Sequence, residues 1–304
     1  MSKGCVIAGG GASGCFSAGV LYGLFNNEEY SKIYGTSAGA LNAALLAQAY
    51  VNKSPEIIKE VWTKMIRKDS DIFKRKYISF VFGKAPLSFE PLVSLVNKVA
   101  DFNSICKLDK EIILTSVDIL TGSICYFSNK DTLPNDLKKA LLASASVPFF
   151  TDPVKLGNKL LVDGGVKENA PVSKMLKNKD IDSLLIILAS PDQLHKVDFS
   201  NKLHLFTDSF GILNRVMSIM MNEITTNDFK NVEHINELLE SLTKDQIGTN
   251  EWLKNKRKVG FEIIIPETIP VEELLKFDPK KLKEGFDMGI KAAEKYLQSK
   301  SIKN

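Results

Sequence analysis

Twice near its start the chain halts an apolar run with a glycine-rich turn and opens a helix directly afterwards. Cys5-Val6-Ile7-Ala8 stops at Gly9-Gly10-Gly11-Ala12-Ser13-Gly14, and a helix-like stretch runs from Gly14 to Phe25. The short apolar step Ile33-Tyr34 leads into Gly35-Thr36-Ser37-Ala38-Gly39. Leu41 to Tyr50 then follows, rich in alanine and leucine and therefore helical by propensity. Strand, tight turn and helix in succession are the units of a parallel sheet covered by helices. Turns of this kind fall together at the carboxyl edge of that sheet, where α/β proteins build their sites. The second turn is also a Gly-x-Ser-x-Gly pattern between strand and helix, the description of a nucleophile elbow. Taken alone, the pentapeptide equally fits an ordinary glycine-rich turn.

Further along, the chain keeps alternating. Pro55 starts another helix, with Val61 and Trp62 at helical spacing, and residues 70 to 90 are less regular. Ile112 to Val117 and Ser123 to Phe127 read as strands joined by a Thr121-Gly122 turn. Leu160-Leu161-Val162 and Leu184 to Leu188 are compact apolar runs suited to strands buried on both faces. A helix from Leu205 to Ile224, a strand from Val259 to Ile265 and an amphipathic helix from Leu282 to Leu297 complete the pattern. The expected fold is a three-layer α/β/α sandwich around a mostly parallel central sheet, with residues 1–304 forming one domain.

Composition narrows the function classes. A net charge of +4 on 40 basic and 36 acidic residues makes no case for nucleic acid, only for mild attraction to anionic surfaces. Cys5, Cys15, Cys106 and Cys125 have no metal-ligand spacing, so they read as reduced thiols of a cytoplasmic protein, and no metal is expected. Met1-Ser2-Lys3-Gly4 runs straight into a core-like strand, with no signal peptide and no apolar run of membrane-spanning length expected.

The glycine run at Gly9 to Gly14 allows two readings. One is a phosphate loop of the dinucleotide-binding type, which also wants an acidic residue closing the second strand. That strand ends in Gly35-Thr36-Ser37, with Glu28-Glu29 placed before it. The other reading is a set of backbone N–H groups offered to an oxyanion, each donor worth about 3 kcal/mol. A base for Ser37 could come from Asp163, which follows an apolar strand in Leu161-Val162-Asp163-Gly164-Gly165, although an Asp-Gly turn has a plain structural reading too. A triad would need a histidine. His195 lies in a polar loop, His204 precedes an apolar helix and His234 sits in a charged helical stretch, so none is framed as a catalytic group.

Gly9-Gly10-Gly11-Ala12-Ser13-Gly14, Gly35-Thr36-Ser37-Ala38-Gly39 and Asp163-Gly164-Gly165, in that order, resemble the three signatures of the patatin-like phospholipases. Ala143 to Phe150 resembles the small-residue segment before the aspartate strand, and Val166 to Val172 its continuation with an Asn-x-Pro step. Gly285 to Gly289 looks like the family's closing helix. The resemblance implies a Ser–Asp dyad, with Ser37 as nucleophile and Asp163 as base. Backbone groups of Gly9, Gly10, Gly11 and Ala38 would form the oxyanion hole, and Gly14, Gly35, Gly39, Gly164 and Gly165 would shape the turns. It implies no cofactor. One departure stands out: many members carry Lys or Arg where this chain has Ser13, which puts in question how the loop is held.

The implied activity is release of fatty acid from phospholipid or lysophospholipid, with transient contact at a membrane surface and no obligate protein partner. The alternatives are a neutral-lipid or small-ester hydrolase with the same dyad, or a non-catalytic lipid-binding or regulatory protein on the same fold. Two segments bear on lipid access. Phe73 to Phe82 mixes cations with Tyr77, Phe80 and Phe82, as an interfacial segment or a core piece under a charged turn. Met217, Ile219, Met220, Met221 and Ile224 could line an acyl groove or simply fill the core.

Overall fold

The structure, a computed structural model, describes residues 2–76, 85–176, 180–191, 209–253 and 258–303. Its strands are β1 (Lys3–Ile7), β2 (Lys32–Thr36), β3 (Lys74–Arg75), β4 (Leu87–Ser88), β5 (Glu111–Asp118), β6 (Ser123–Ser128), β7 (Val154–Leu156), β8 (Lys159–Asp163), β9 (Ser183–Ile187) and β10 (Gly260–Ile264). The helices are α1 (Gly14–Leu24), α2 (Ala38–Asn52), α3 (Glu56–Glu60), α4 (Glu90–Val99), α5 (Phe102–Ile105), α6 (Pro134–Ser144), α7 (Val172–Leu176), α8 (Ser209–Ser241), α9 (Lys244–Thr249) and α10 (Pro279–Lys303).

Eight strands form one sheet in the order β10-β9-β1-β2-β5-β8-β7, with β6 also on β5. The ladders from β10 to β5 are parallel, whereas β6, β7 and β8 join antiparallel. Alternation along the central strands divides the core. Cys5, Ile7, Ile33, Leu114 and Ile187 pack with α1, α2 and α10 on one face. Val6, Tyr34, Ile113 and Ile186 pack with Val172 of α7 and Phe229 and Val232 of α8 on the other. Both faces are therefore covered, which is what the continuous apolar runs require. The expected α/β sandwich is present, but its sheet is mixed at the β5 end.

Three elements run beyond their sequence reading. The helix expected at Leu205 to Ile224 belongs to α8, 33 residues long, whose later turns keep an apolar stripe facing the sheet. The helix after Pro55 is α3 for only five residues and then widens into a π-helical turn at Val61–Met65, which seats buried Trp62. The closing helix is α10, packed on α1 with almost no gap. A Cβ on Gly19 would lie 2.0 Å from the Phe286 carbonyl oxygen, and one on Gly289 would lie 2.1 Å from that of Phe16.

Candidate active site

Ser37 is the last residue before α2 and has φ 56° and ψ −125°, a backbone conformation that side chains avoid. Such strain costs on the order of 1–3 kcal/mol and persists only where neighbours enforce it. Here the Ser37 N–H donates to Ser144 Oγ at 2.9 Å, while its carbonyl accepts from the Ala40 and Leu41 N–H groups. The flanking glycines answer to crowding. A Cβ on Gly35 would sit 2.3 Å from the Gly39 carbonyl oxygen, and one on Gly39 would sit 2.1 Å from that of Ile7. The elbow is thus wedged against the end of β1.

Asp163 reaches Ser37 through the mixed part of the sheet. Along β5, β2 pairs as far as Thr36↔Thr115, and β8 enters from the opposite direction at Ser116↔Asp163. Since β6 occupies the other edge of β5 over Ile113 to Asp118, β2 and β8 must share one edge. Their carboxyl ends therefore meet head-on. The turn after α6 joins the two: Ser144 Oγ takes the Ser37 N–H, and the Ser146 carbonyl accepts the Asp163 N–H at 2.9 Å. The run of small residues from Ala143 to Ser146 is what lets a helix end fit there.

The Asp163 carboxyl is fully buried, and burial pushes its pKa up to about 7, against the opposing pull of the Ser37 hydroxyl and the Gly165 N–H. Gly165 N–H donates to Oδ1 at 2.8 Å. Oδ2 has no partner within ordinary hydrogen-bond geometry among the described residues. The Ser37 hydroxyl therefore acts on the carboxyl as a close neighbour.

The glycine loop lies beside both. A Cβ on Gly9 would come within 2.9 Å of Ser37 Cβ and 2.3 Å of Asn169 Oδ1. Asn169 clasps Gly9 on both sides: its carbonyl accepts the Gly9 N–H at 3.2 Å, and its Nδ2 donates to the Gly9 carbonyl at 3.3 Å. Nδ2 also donates to Thr225 Oγ1, which fixes the amide orientation and leaves buried Oδ1 unpartnered. The Asn169 and Ala170 N–H groups both donate to Asp228 Oδ2. Burial raises that carboxyl to about 7 as well, with Glu168 adding to the effect. The Gly9 amide is thus engaged by the Asn169 carbonyl. Among the described residues, the N–H groups of Gly10, Gly11 and Ala38 meet no acceptor, and all three residues are partly exposed.

Ser13 holds the loop without a cation. Its Oγ donates to the Val271 carbonyl at 2.9 Å and accepts the Val271 N–H at 3.2 Å. Ala12 N–H donates to the Leu274 carbonyl at 2.8 Å. Gly11, at φ 53°, presses so closely on that carbonyl that a Cβ would lie 2.0 Å from it. Residues 271–277 thus form a strap across the loop. No residue pattern announces this strap, because its contacts are to backbone.

Two cavities flank the loop. On the Gly11 side, Ser37 and Ala38 open into a small cavity of about 50 Å3 walled by Leu41, Trp62, Phe89, Val147, Leu275 and Phe277. On the Gly9 and Gly10 side lies a second cavity of about 50 Å3, the polar cavity, whose lining includes Ser13, Asn169, Ser190 and Asn222. Met221 lines the polar cavity and Met217 is core, while Ile219 and Met220 are half exposed. Of the two readings of this stripe, core packing holds for Met217 and Met221, and the described lining of the apolar cavity comes from other elements. Tyr77, Phe80 and Phe82, and likewise His195 and His204, lie outside the described residues. His234 is exposed on α8 beside Glu237. Glu28 is paired with Lys3 and Lys300 at the amino end of β1, across the sheet from the glycine loop, so it cannot serve a nucleotide there.

The family model for patatin-like phospholipases matches residues 5–176, which includes the glycine loop, the elbow and the aspartate turn. The chain belongs to this family. Patatin-like phospholipases are lipid acyl hydrolases. A relative at 26% identity over 227 residues, covering 66% of this chain and 76% of its own, is the Bacillus subtilis (strain 168) protein described as uncharacterized protein YqhO. The solved structure of VipD from Legionella pneumophila is similar at a TM-score of 0.45 and 11% identity, covering 97% of this chain and 67% of its own. The patatin-like match ends before α8 and the strap, so the polar cavity is walled largely by residues beyond it. Among the described residues no helix is long and apolar enough to cross a membrane.

Proposed function

We propose that this patatin-like chain is a serine acyl hydrolase of phospholipase A or lysophospholipase type, working through Ser37 and Asp163. The observation that carries the reading is a serine held in a strained turn beside a buried carboxyl with one oxygen unpartnered. In acylation, Asp163 takes the Ser37 hydroxyl proton as Oγ attacks the ester carbonyl. The N–H groups of Gly10, Gly11 and Ala38 stabilise the oxyanion, each worth about 3 kcal/mol. Asp163 returns the proton to the departing alkoxide, leaving an acyl-serine. Water then attacks, giving its proton to Asp163, and Ser37 leaves with that proton as the fatty acid is released. The apolar cavity supports an acyl chain as the group held beside Ser37. The substrate would arrive by peripheral contact with a membrane surface.

A neutral-lipid or small-ester substrate would use the same atoms, and a non-catalytic lipid binder would keep the cavity without turnover. Fluorophosphonate labelling, followed by turnover of an ester and phospholipid panel, separates these readings. The native chain should label and turn over, with Ser37→Ala unlabelled and Asp163→Asn at least about a hundredfold slower, which corresponds to roughly 2.7 kcal/mol. Equal turnover in Ser37→Ala overturns the mechanism.

A further inference from the structure

Release of an acyl group from Ser37 needs a water, and the glycine loop separates two sides from which one could come. Gly11 stands on the apolar cavity, Gly9 and Gly10 on the polar one. On the apolar side the described polar groups are Ser37, the Gly11 and Ala38 amides, and the Trp62 indole N–H, which donates to Asn42 Oδ1. In an acyl-enzyme Ser37 carries the acyl group and the two amides face its carbonyl, so that side has no partner left for a water. The polar cavity, of about 50 Å3, admits water and little more.

Asn169 lines that cavity and brings one unused group to it. The residue is 3% exposed, and its Oδ1 has no hydrogen-bond partner among the described residues. Turning the amide over would not relieve this. Thr225 Oγ1 donates to the Met221 carbonyl, so toward Asn169 it can only accept, and the Gly9 carbonyl can only accept as well. Nδ2 is therefore held on those two oxygens, which leaves Oδ1 as the free end of the amide. An unpaired buried acceptor costs on the order of 1–3 kcal/mol, and a water donating to it offsets that cost.

The same oxygen stands close to both members of the dyad. A point beside Gly9, where a Cβ would be, is 2.3 Å from Asn169 Oδ1 and 2.9 Å from Ser37 Cβ. The corresponding point beside Gly165 is 2.8 Å from that oxygen and 3.1 Å from Asp163 Oδ1. Asn169 Oδ1 thus lies within two hydrogen bonds, of about 3 Å each, of nucleophile and base alike. One water donating to it can reach the Asp163 carboxylate with its second hydrogen and turn its oxygen toward an acyl group on Ser37.

We infer that Asn169 positions the water that releases the acyl group. The inference rests on the acyl-hydrolase reading. The water oxygen bonds to the acyl carbon while one of its protons passes to Asp163. The bond from that carbon to Ser37 Oγ then breaks, Oγ takes the proton from Asp163, and the other water hydrogen leaves on the fatty acid. Asn169 accepts a hydrogen bond and gains no proton, so it is a positioning residue for the second half-reaction alone.

The two half-reactions separate on a water-soluble nitrophenyl ester. The burst of nitrophenol reports acylation, its steady release reports deacylation, and mass spectrometry of the full-length chain shows acyl-Ser37. Asn169→Ala should keep the burst, accumulate acyl-Ser37 and lower kcat about tenfold or more, or 1.4 kcal/mol. KM should fall with kcat, leaving kcat/KM within about threefold, because that ratio reports acylation. Asn169→Asp keeps an acceptor at the same place but loses the same donor to the Gly9 carbonyl. At alkaline pH it should release the acyl group faster than Asn169→Ala, whereas a residue that only clasps the loop would leave the two alike. Equal release by the two variants overturns the inference. So does a fall of burst rate and kcat/KM in step with kcat, or release by Asn169→Ala at the native rate. Turnover that persists in Ser37→Ala instead sinks the hydrolase reading, and this inference with it.

Discussion

Asp163 has one oxygen engaged by the Gly165 N–H and one left to receive a proton. In the proposed mechanism its ionisation near pH 7 decides when it can act as base. On a soluble ester, kcat/KM should rise with pH through about 7 and level off above it, since only the carboxylate accepts the Ser37 proton. Asp228 titrates in the same range, so an Asp228→Asn variant that keeps this profile assigns it to Asp163. Stability runs the other way. Between the ordinary 3.8 and about 7 the folded chain holds a proton that the unfolded chain releases, so stability falls as pH rises through that window. Asp163→Asn should therefore lose activity yet gain stability over the native chain at pH 8, by as much as about 4 kcal/mol. Denaturant melts at pH 5 and pH 8 measure the difference. Asn169 offers a finer probe. Asn169→Asp adds a negative charge near Asp163 and removes the donor to the Gly9 carbonyl, so the activity profile should move to higher pH. An unmoved profile with lower activity would mark Asn169 as structural only. At this scale Ser37 and Asp163 were legible because glycines betray places where backbone comes close. The Gly9 amide, Ser144 and the clasp of Asn169 were not, because each depends on a partner brought from far along the chain.

Among elements, apolar runs told where strands lie but not which way they point. The apolar run before Asp163 does not say that β8 is antiparallel, and that direction brings it nose to nose with β2. Ser13 shows the same limit: its change from the expected cation was legible, but the strap that replaces the cation was not. Helix contacts follow a rule that sequence states only by composition. The glycines of α1 and α10 let the two helices touch backbone to backbone, so Gly289→Ala should cost on the order of 1–3 kcal/mol by overpacking. Gly248→Ala in α9, where an added Cβ meets nothing within 4 Å, should be neutral or stabilising by up to about 1 kcal/mol. Thermal melts of the two variants test the contrast, and equal midpoints would contradict the close packing.

For the whole molecule, three layers leave one carboxyl edge carrying the loop, the elbow and both cavities, so on the proposed function a lipid would arrive at that edge. Phe149 would then be placed to meet it. It lies two residues from Val147 in the wall of the apolar cavity, is 70% exposed, and sits at φ 70°, a conformation disfavoured for a bulky residue. An exposed aromatic ring held against backbone preference gains little from the fold, but it gains apolar burial on entering a bilayer surface. Phe149→Asn separates the two, because asparagine tolerates positive φ and removes the ring. The variant should melt at or slightly above the native temperature and turn over a water-soluble ester at the native rate. Its hydrolysis of substrate embedded in vesicles should fall several-fold, through weaker partition of the enzyme to the bilayer, and vesicle sedimentation should show the same loss. Unchanged vesicle turnover with an intact fold would mean that lipid reaches Ser37 without Phe149, and that the ring is only a strained corner of the turn before β7.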